Sequence, residues 1–212
     1  MMLGQFVKLK NGKPFEVVSR PNWLEMDGSE ITDDTRFIEA GIWPLVHEDF
    51  EYDHYTQEAT RKEIADWQIN DNNVTVTYEV TDRPLEDAKT LLKMEVDRIR
   101  YRKIYSENIP YVFPGDTEPD GIQMRNEVDR QNIQDLVIDA MTKDPETPVV
   151  FMPISNNLKT LSAQDLIKMG IYIKSRGDAI VAYAWSLKEQ INEATSLSEI
   201  RSMAATIEDF WP

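Results

Sequence analysis

The sequence contains no cysteine, only two histidines and no long apolar run. Without cysteine there are no disulfides, no thiolate metal sites and no cysteine nucleophiles. A membrane-spanning helix needs roughly 20 apolar residues, and residues 1–13 lack the apolar stretch of a signal peptide. The glycine motifs that hold phosphates and the GxSxG nucleophile motif are also missing. We therefore expect no cofactor, no membrane insertion and no enzyme activity.

Basic residues are few relative to acidic ones. There are 23 Lys and Arg against 38 Asp and Glu, which gives a net charge of -15. Such a chain repels phosphate, so nonspecific nucleic-acid binding is not expected. With 212 residues and 41% hydrophobic content, the chain can bury a core as one large domain or two small ones. It fits a protein made in a cytoplasm and kept there or built into a particle.

Turn residues and short β-prone runs dominate residues 1–83. An Asn11-Gly12 turn precedes a strand at 15–18, and a short helix at 35–40 begins at Asp33 or Asp34 and ends at Gly41. An extended run follows Pro44. The pattern also predicts a β-hairpin around a turn at 70–73. Its arms carry Ala65, Trp67 and Ile69 on one side and Val74, Val76, Tyr78 and Val80 on the other.

From Pro84 the apolar period becomes helical, so the sequence predicts an α+β protein with a strand-rich domain at 1–83 and a helix-rich domain at 84–212. Three further elements are predicted besides the first helix at 85–105 and the short last helix at 198–209. They are a hairpin joining 109–113 to 121–124, a helix at 125–142 and a strand at 149–154. The longest helix, 162–194, is capped by Ser162, with Asp165 three residues on.

That long helix carries a heptad-spaced seam with small residues. The seam consists of Leu166, Gly170, Ile173, Gly177, Ile180, Ala184, Leu187 and Ile191. Each interior glycine costs about 0.5–1 kcal/mol in a helix, and close approach of another backbone is the usual compensation. The seam can be buried against the helix at 85–105 or between copies. Because symmetric assembly is common, we expect a homo-oligomer.

One basic patch interrupts the acidic chain. Arg98, Arg100, Arg102 and Lys103 alternate with tyrosines on the first predicted helix. Three interpretations remain open. The patch binds nucleic acid by charge and stacking, it is a solvated helix face paired to Glu95 and Asp97, or it contacts an acidic partner protein.

Both histidines fall in the acidic run 47–54. In a strand, His47, Asp49, Glu51 and Asp53 would share a face while His54 points the other way. This parity works against one ion binding both histidines, although carboxylates and imidazole suit metals. We favour a solvated acidic edge with Phe50 and Tyr52 packed inward, and no metal site.

The C-terminal part of the chain resembles a small helical domain of unknown function that ends many bacteriophage tail and tail-fibre-associated proteins. The likeness is greatest over residues 187–200. The other similar positions are Gly121 to Gln123, Asp129, Asn132-Ile133, Val149 to Phe151, Asn156-Asn157 and Leu161. Phe151 stands where compared members carry Trp.

The N-terminal part is similar to short phage tail proteins over residues 31–57, with Ala40-Gly-Ile-Trp43-Pro44 at its centre. The resemblance implies a virion or tail-assembly role, with no known enzyme activity and no functional residue to transfer. The leading hypothesis is a structural tail or tail-fibre-associated protein, located in the virion, that binds other tail or fibre proteins and its own copies. A tail-fibre assembly chaperone that leaves the mature particle and a glycan-hydrolysing tail enzyme are the alternatives.

Overall fold

A computed structural model describes residues 5–21, 30 and 34–212. Contacts divide the chain into two compact units, Met1–Pro84 and Leu85–Pro212. Strands dominate the first unit and helices the second, which confirms the predicted α+β class. None of the helices in these residues combines the length and apolarity needed to cross a bilayer.

A five-stranded sheet is the larger of the two sheets described in the first unit. Its strands are β1 (Gln5–Lys10), β2 (Lys13–Ser19), β3 (Ile42–His47), β5 (Gln68–Ile69) and β6 (Val74–Val76), in the order β2-β1-β3-β6-β5. Among the strands described, only β3 and β6 pair in parallel. The predicted turn between β1 and β2 is confirmed, because Asn11 and Gly12 both have positive φ, the backbone that a two-residue hairpin needs.

The two faces of β1 enter different cores, as the alternation of a strand requires. Val7 packs with Trp67, Val74 and Val76. Phe6 meets Phe37 of helix α1 (Asp34–Glu39) edge-on at 5.7 Å. The predicted helix at 35–40 is therefore confirmed, with Gly41 at φ +75 after it. Asp34 lies inside this helix and is not its cap. Asp33, the other predicted cap, lies outside the described residues, as does Ile31, the first residue of the stretch that resembles phage tail proteins.

The predicted hairpin at 65–80 is only partly correct. Its turn and the β5–β6 pairing are present, with Ile69 opposite Val74. Ala65, however, lies in a 3₁₀ turn at Ile64–Asp66. The other arm breaks after Val76, and β7 (Tyr78–Asp82) leaves to pair with β4 (Gln57–Arg61). The alternation of Val74 to Val80 does not distinguish one strand from two short strands with different partners.

The second unit is built on α4 (Ala163–Glu193), which contacts α2 (Leu85–Tyr105) and α3 (Glu127–Met141). A two-stranded sheet of β8 (Pro148–Phe151) and β9 (Lys159–Ser162) leads into α4, and α5 (Leu197–Thr206) packs on α2. The predicted helices are confirmed to within a few residues. The predicted hairpin at 109–124 is reduced to a single bridge between Ile109 and Ile122.

Candidate protein-interaction site

The heptad seam of α4 lies against other helices of its own chain. Leu166, Ile180, Ala184 and Ile191 are buried, whereas Gly170, Ile173, Gly177 and Leu187 are half-buried. Leu166 belongs to the core that includes Ile133 and Val137 of α3. Burial within the chain is thus one of the two alternatives that the spacing left open, and the structure shows it fully for four of the eight seam residues.

The two glycines of the seam have different surroundings. A Cβ on Gly170 would lie 2.9 Å from both γ-methyl carbons of Val137, so the close neighbour there is a side chain and not the backbone that the glycine spacing predicted. A Cβ on Gly177 would meet nothing within 4 Å. The prediction of tight packing at Gly177 is therefore wrong within the described chain, because Gly177 borders open space.

The space beside Gly177 belongs to an open groove of about 730 Å³ between α3, α4 and the last turn of α2. Most of its lining is apolar. The apolar side chains are Ile104, Ile109, Met124, Ile133, Val137, Ile138, Met141, Ile167, Ile171, Ile173 and Val181. Ile138, Met141 and Ile171 are each at least 60% exposed. An exposed apolar surface of this kind is typical of a protein-interaction site.

Charged groups border this groove. Lys174 and Asp178 form an i,i+4 ion pair at its rim. Arg130 donates a hydrogen bond to the Tyr105 hydroxyl at 2.8 Å, and Arg176 donates to the backbone carbonyl of Lys103 at 3.0 Å. An apolar floor with a polar rim is the anatomy of a protein interface.

Each residue of the predicted basic patch contacts a carboxylate within the second unit. Arg98 pairs with Glu95 and lies 3.6 Å from Glu208, and Arg100 pairs with Asp97. Arg102 reaches Glu107 and Glu208, and Lys103 reaches Glu107. These pairs neutralise much of the local positive charge. The arrangement favours the solvated, internally paired interpretation over nucleic-acid binding.

The acidic run that holds both histidines is not a strand beyond His47. His47 lies 2.9 Å from the Tyr78 hydroxyl through Nδ1, and His54 packs against Tyr55. The Phe50 ring contacts that of Tyr78 in a tilted arrangement with 4.8 Å between the ring centroids. Tyr52, however, is 43% exposed, so the expectation that Tyr52 packs inward is wrong. Among the described residues, no three His, Asp or Glu side chains are grouped closely enough to hold a metal ion.

The shifted pKa values of the second unit have structural causes. The guanidinium of Arg125, hydrogen-bonded to Asp129, holds the pKa of that carboxyl below its usual range. The Ser162 hydroxyl, followed by Lys168, lowers the pKa of Asp165. Partial burial raises the pKa of the Tyr111 phenol, and the charge of Asp165 adds to this effect. The two aspartates stabilise the first turns of α3 and α4.

Sequence reasoning missed the exposed apolar residues beside the seam. Ile171 on α4 and Ile138 on α3 are 62% and 60% exposed, and both line the groove. A signal for Ile171 was present in the sequence of α4, where apolar residues recur with heptad spacing at the positions that directly follow those of the seam.

Comparison with known proteins adds one relationship. Neither the curated proteins nor the solved structures include a significant match to this chain. Residues 87–209, which are more than half of the chain, match the domain of unknown function DUF4376. The description of that family states no activity, partner or source. The matched residues lie within the second unit, and the chain belongs to the DUF4376 family.

Proposed function

We propose that this protein is a structural component of a bacteriophage tail, associated with the tail or its fibres, and that it acts by binding other polypeptides. The observation that carries the proposal is the open apolar groove between α3 and α4. Ile138, Met141 and Ile171 stay more than half exposed there. Burying apolar surface contributes about 25 cal/mol per Å², so a partner that covers these side chains gains binding free energy.

The resemblance of both chain segments to phage tail proteins supplies the setting. Its partners would be other tail or fibre proteins and further copies of the chain, and the protein would be made in the host cytoplasm and incorporated into the virion. The proposal includes no catalytic step, no cofactor and no nucleic-acid contact. The ion-paired basic patch supports the last point, because its cations already contact carboxylates.

The test is quantitative mass spectrometry of particles released by the phage whose genome encodes the chain. We expect its peptides in purified tails at a fixed ratio to a major tail protein. An abundant host cytosolic protein serves as the control for contamination. Presence in the lysate with absence from mature particles would overturn the structural role and favour the assembly chaperone.

A variant links the groove to this role. Met141→Glu places a charge at the rim of the groove on a side chain that is 62% exposed, so the fold should tolerate it. We expect incorporation into tails to fall at least tenfold. Met94→Glu on α2, where Met94 is 63% exposed and outside the groove, is the matched control and should incorporate normally.

The remaining alternative is an enzyme that cleaves host glycans. Incubating the purified chain with host envelope polysaccharide should release no product. Release that a single carboxylate substitution abolishes would replace the structural proposal.

A further inference from the structure

Helix α4 carries a second heptad-spaced stripe on its outer face. Its positions are separated by alternating steps of four and three residues, and each position directly follows a residue of the seam. The stripe consists of Ile167, Ile171, Lys174, Asp178, Val181 and Trp185. Ile171 and Trp185 are each 62% exposed, and Ile167 and Val181 are half-buried at the groove. An a/d spacing with apolar ends is the pattern of a helix that packs on another helix.

The stripe is symmetric about position 176. In an antiparallel pair of α4 helices crossing there, Ile171 lies opposite Val181 and Ile167 lies opposite Trp185. The central layer then joins Lys174 of one copy to Asp178 of the other. The side chain of Arg176 donates to the backbone carbonyl of Lys103 on α2.

The two central charges select the direction of pairing. Side by side in parallel, Lys174 would face Lys174 and Asp178 would face Asp178, which is repulsive. Antiparallel pairing puts opposite charges together in two symmetric layers. Both groups are largely exposed in the single chain, at 76% and 66% of their side-chain surface. Their intrahelical pair, with Lys before Asp, also has the weaker orientation, so both are available to a second helix.

We propose that two copies of the chain associate through this outer stripe of α4, antiparallel and about a two-fold axis beside position 176. The inference deepens the proposed function, because it identifies the self-association surface of a protein taken to act by binding polypeptides. Such an interface is isologous and closes on itself as a dimer. The stripe from Ile167 to Trp185 would give a contact of about 27 Å along each helix.

The groove supplies a site for the largest side chain of the stripe. Trp185 of the second copy would lie at the level of Ile167, where Ile138 and Met141 of α3 also line the groove. Those two α3 residues are 60% and 62% exposed in the single chain. Aromatic side chains that fill apolar pockets dominate the binding energy of interfaces, so Trp185 should anchor each end of the dimer.

Sedimentation of the full chain over a concentration series tests the association. We expect a reversible change from 24.6 kDa to twice that mass. Trp185→Ala should weaken the dimer at least tenfold, whereas Leu158→Ala, at a residue 65% exposed and outside the groove, should not. A chain that stays at 24.6 kDa up to about 500 µM, or that forms larger assemblies only, overturns the proposal.

Charge exchange tests the direction. Lys174→Glu or Asp178→Lys alone places like charges in both central layers and should weaken the dimer about tenfold. The double exchange K174E/D178K should restore parental affinity. The control is the Asp139–Lys143 pair at the C-terminal end of α3, which has the same residue types and spacing and lies outside the groove. Failure of the double exchange to restore dimerisation overturns the antiparallel assignment.

The absence of native cysteine permits a direct test of register. Two differently tagged chains, one Ile171→Cys and the other Val181→Cys, should form a disulfide when mixed under mild oxidation. Each alone should cross-link at least tenfold less. Cross-linking of Ile171→Cys with itself would indicate a parallel pair and sink the proposal. Circular dichroism at 222 nm verifies that each variant keeps its helices.

The outcomes are separable from those of the proposed function. A monomeric chain that is nevertheless present in purified tails contradicts only the dimer. A dimer that is absent from particles contradicts only the structural role in the virion.

Discussion

The α-carbon of Gly170 faces the side chain of Val137 so closely that a Cβ atom would lie 2.9 Å from both of its γ-methyl carbons. Contacts this short are rarely tolerated, and a β-branched side chain in a helix has essentially one favoured χ1 rotamer. Val137 cannot rotate away at low cost. The α3–α4 packing therefore depends on the absence of a side chain at position 170.

Gly170→Ala should destabilise the second unit. The overpacking cost of about 1–3 kcal/mol exceeds the gain of about 1 kcal/mol in helix propensity. Urea denaturation followed at 222 nm measures the change, because α2 to α5 all lie in this unit. Adding Val137→Ala should recover part of the loss, since the two sites are in contact and do not behave additively. Additive effects would contradict the close approach.

Gly177→Ala should have the opposite effect. With nothing within 4 Å of the added methyl group, only the helix propensity changes. We expect stabilisation by about 0.5–1 kcal/mol, measured by the same denaturation at a concentration where the chain is monomeric. Destabilisation comparable to that of Gly170→Ala would show that an unseen group packs at Gly177.

Acid should weaken the second unit through the cap of α4. The Ser162 hydroxyl donates to Asp165 at 2.7 Å, and the Asp165 amide donates back to the Ser162 oxygen at 3.1 Å. These contacts lower the pKa of Asp165, so the folded state holds its proton less tightly than the unfolded chain. The resulting stability is present above the unfolded pKa of about 3.9. It is lost as pH falls through the lower folded pKa.

Asp165→Asn should remove this part of the pH dependence. The variant should be less stable near neutral pH and lose less stability between about pH 4 and pH 2. Ser162→Ala should cost about 1 kcal/mol as a lost N-cap. Denaturation at a series of pH values tests both. A parental acid slope in the asparagine variant would contradict the role of Asp165.

Lys89 of α2 stabilises the end of α4. It is 8% exposed and donates to Glu86 and to the backbone carbonyl of Asn192, each at 3.0 Å. That carbonyl lies in the last turn of α4, where carbonyls lack intrahelical donors and a positive charge is favourable. Lys89→Met should destabilise the unit by about 1–2 kcal/mol. Lys93→Met on the same helix is the control, and equal effects would argue against a specific contact.

The basic patch should contribute little to stability or binding. Its ion pairs are partly exposed, and such pairs contribute about 0–1 kcal/mol each. Arg98→Ala should therefore change the free energy of unfolding by less than about 1 kcal/mol. Fluorescence anisotropy at physiological salt should detect no binding of single- or double-stranded DNA. Binding that weakens with the Arg98 and Arg102 substitutions would restore the nucleic-acid interpretation.

Local sequence signals determined most element boundaries. Pro84 and the apolar spacing after it predicted α2, and Ser162 with Asp165 predicted the start of α4. The Asn11-Gly12 turn and Gly41 were equally readable, because both rest on backbone conformations that few residues adopt. These signals lie within a few residues of the boundaries they set, so no knowledge of distant contacts was needed.

Only the tertiary structure showed which strands pair with each other and which helix faces are covered. Alternating apolar residues from Val74 to Val80 looked like one strand, yet β6 joins the five-stranded sheet and β7 pairs with β4. The heptad spacing predicted the same tight packing at Gly170 and Gly177. In the structure Val137 of α3 packs closely on Gly170, whereas the space beside Gly177 is open. Periodicity identifies which residues share a face, but which face is covered depends on segments far away in sequence. The sequence by itself thus determined the helices and their apolar faces, while tertiary packing decided which of those faces stays open for a partner.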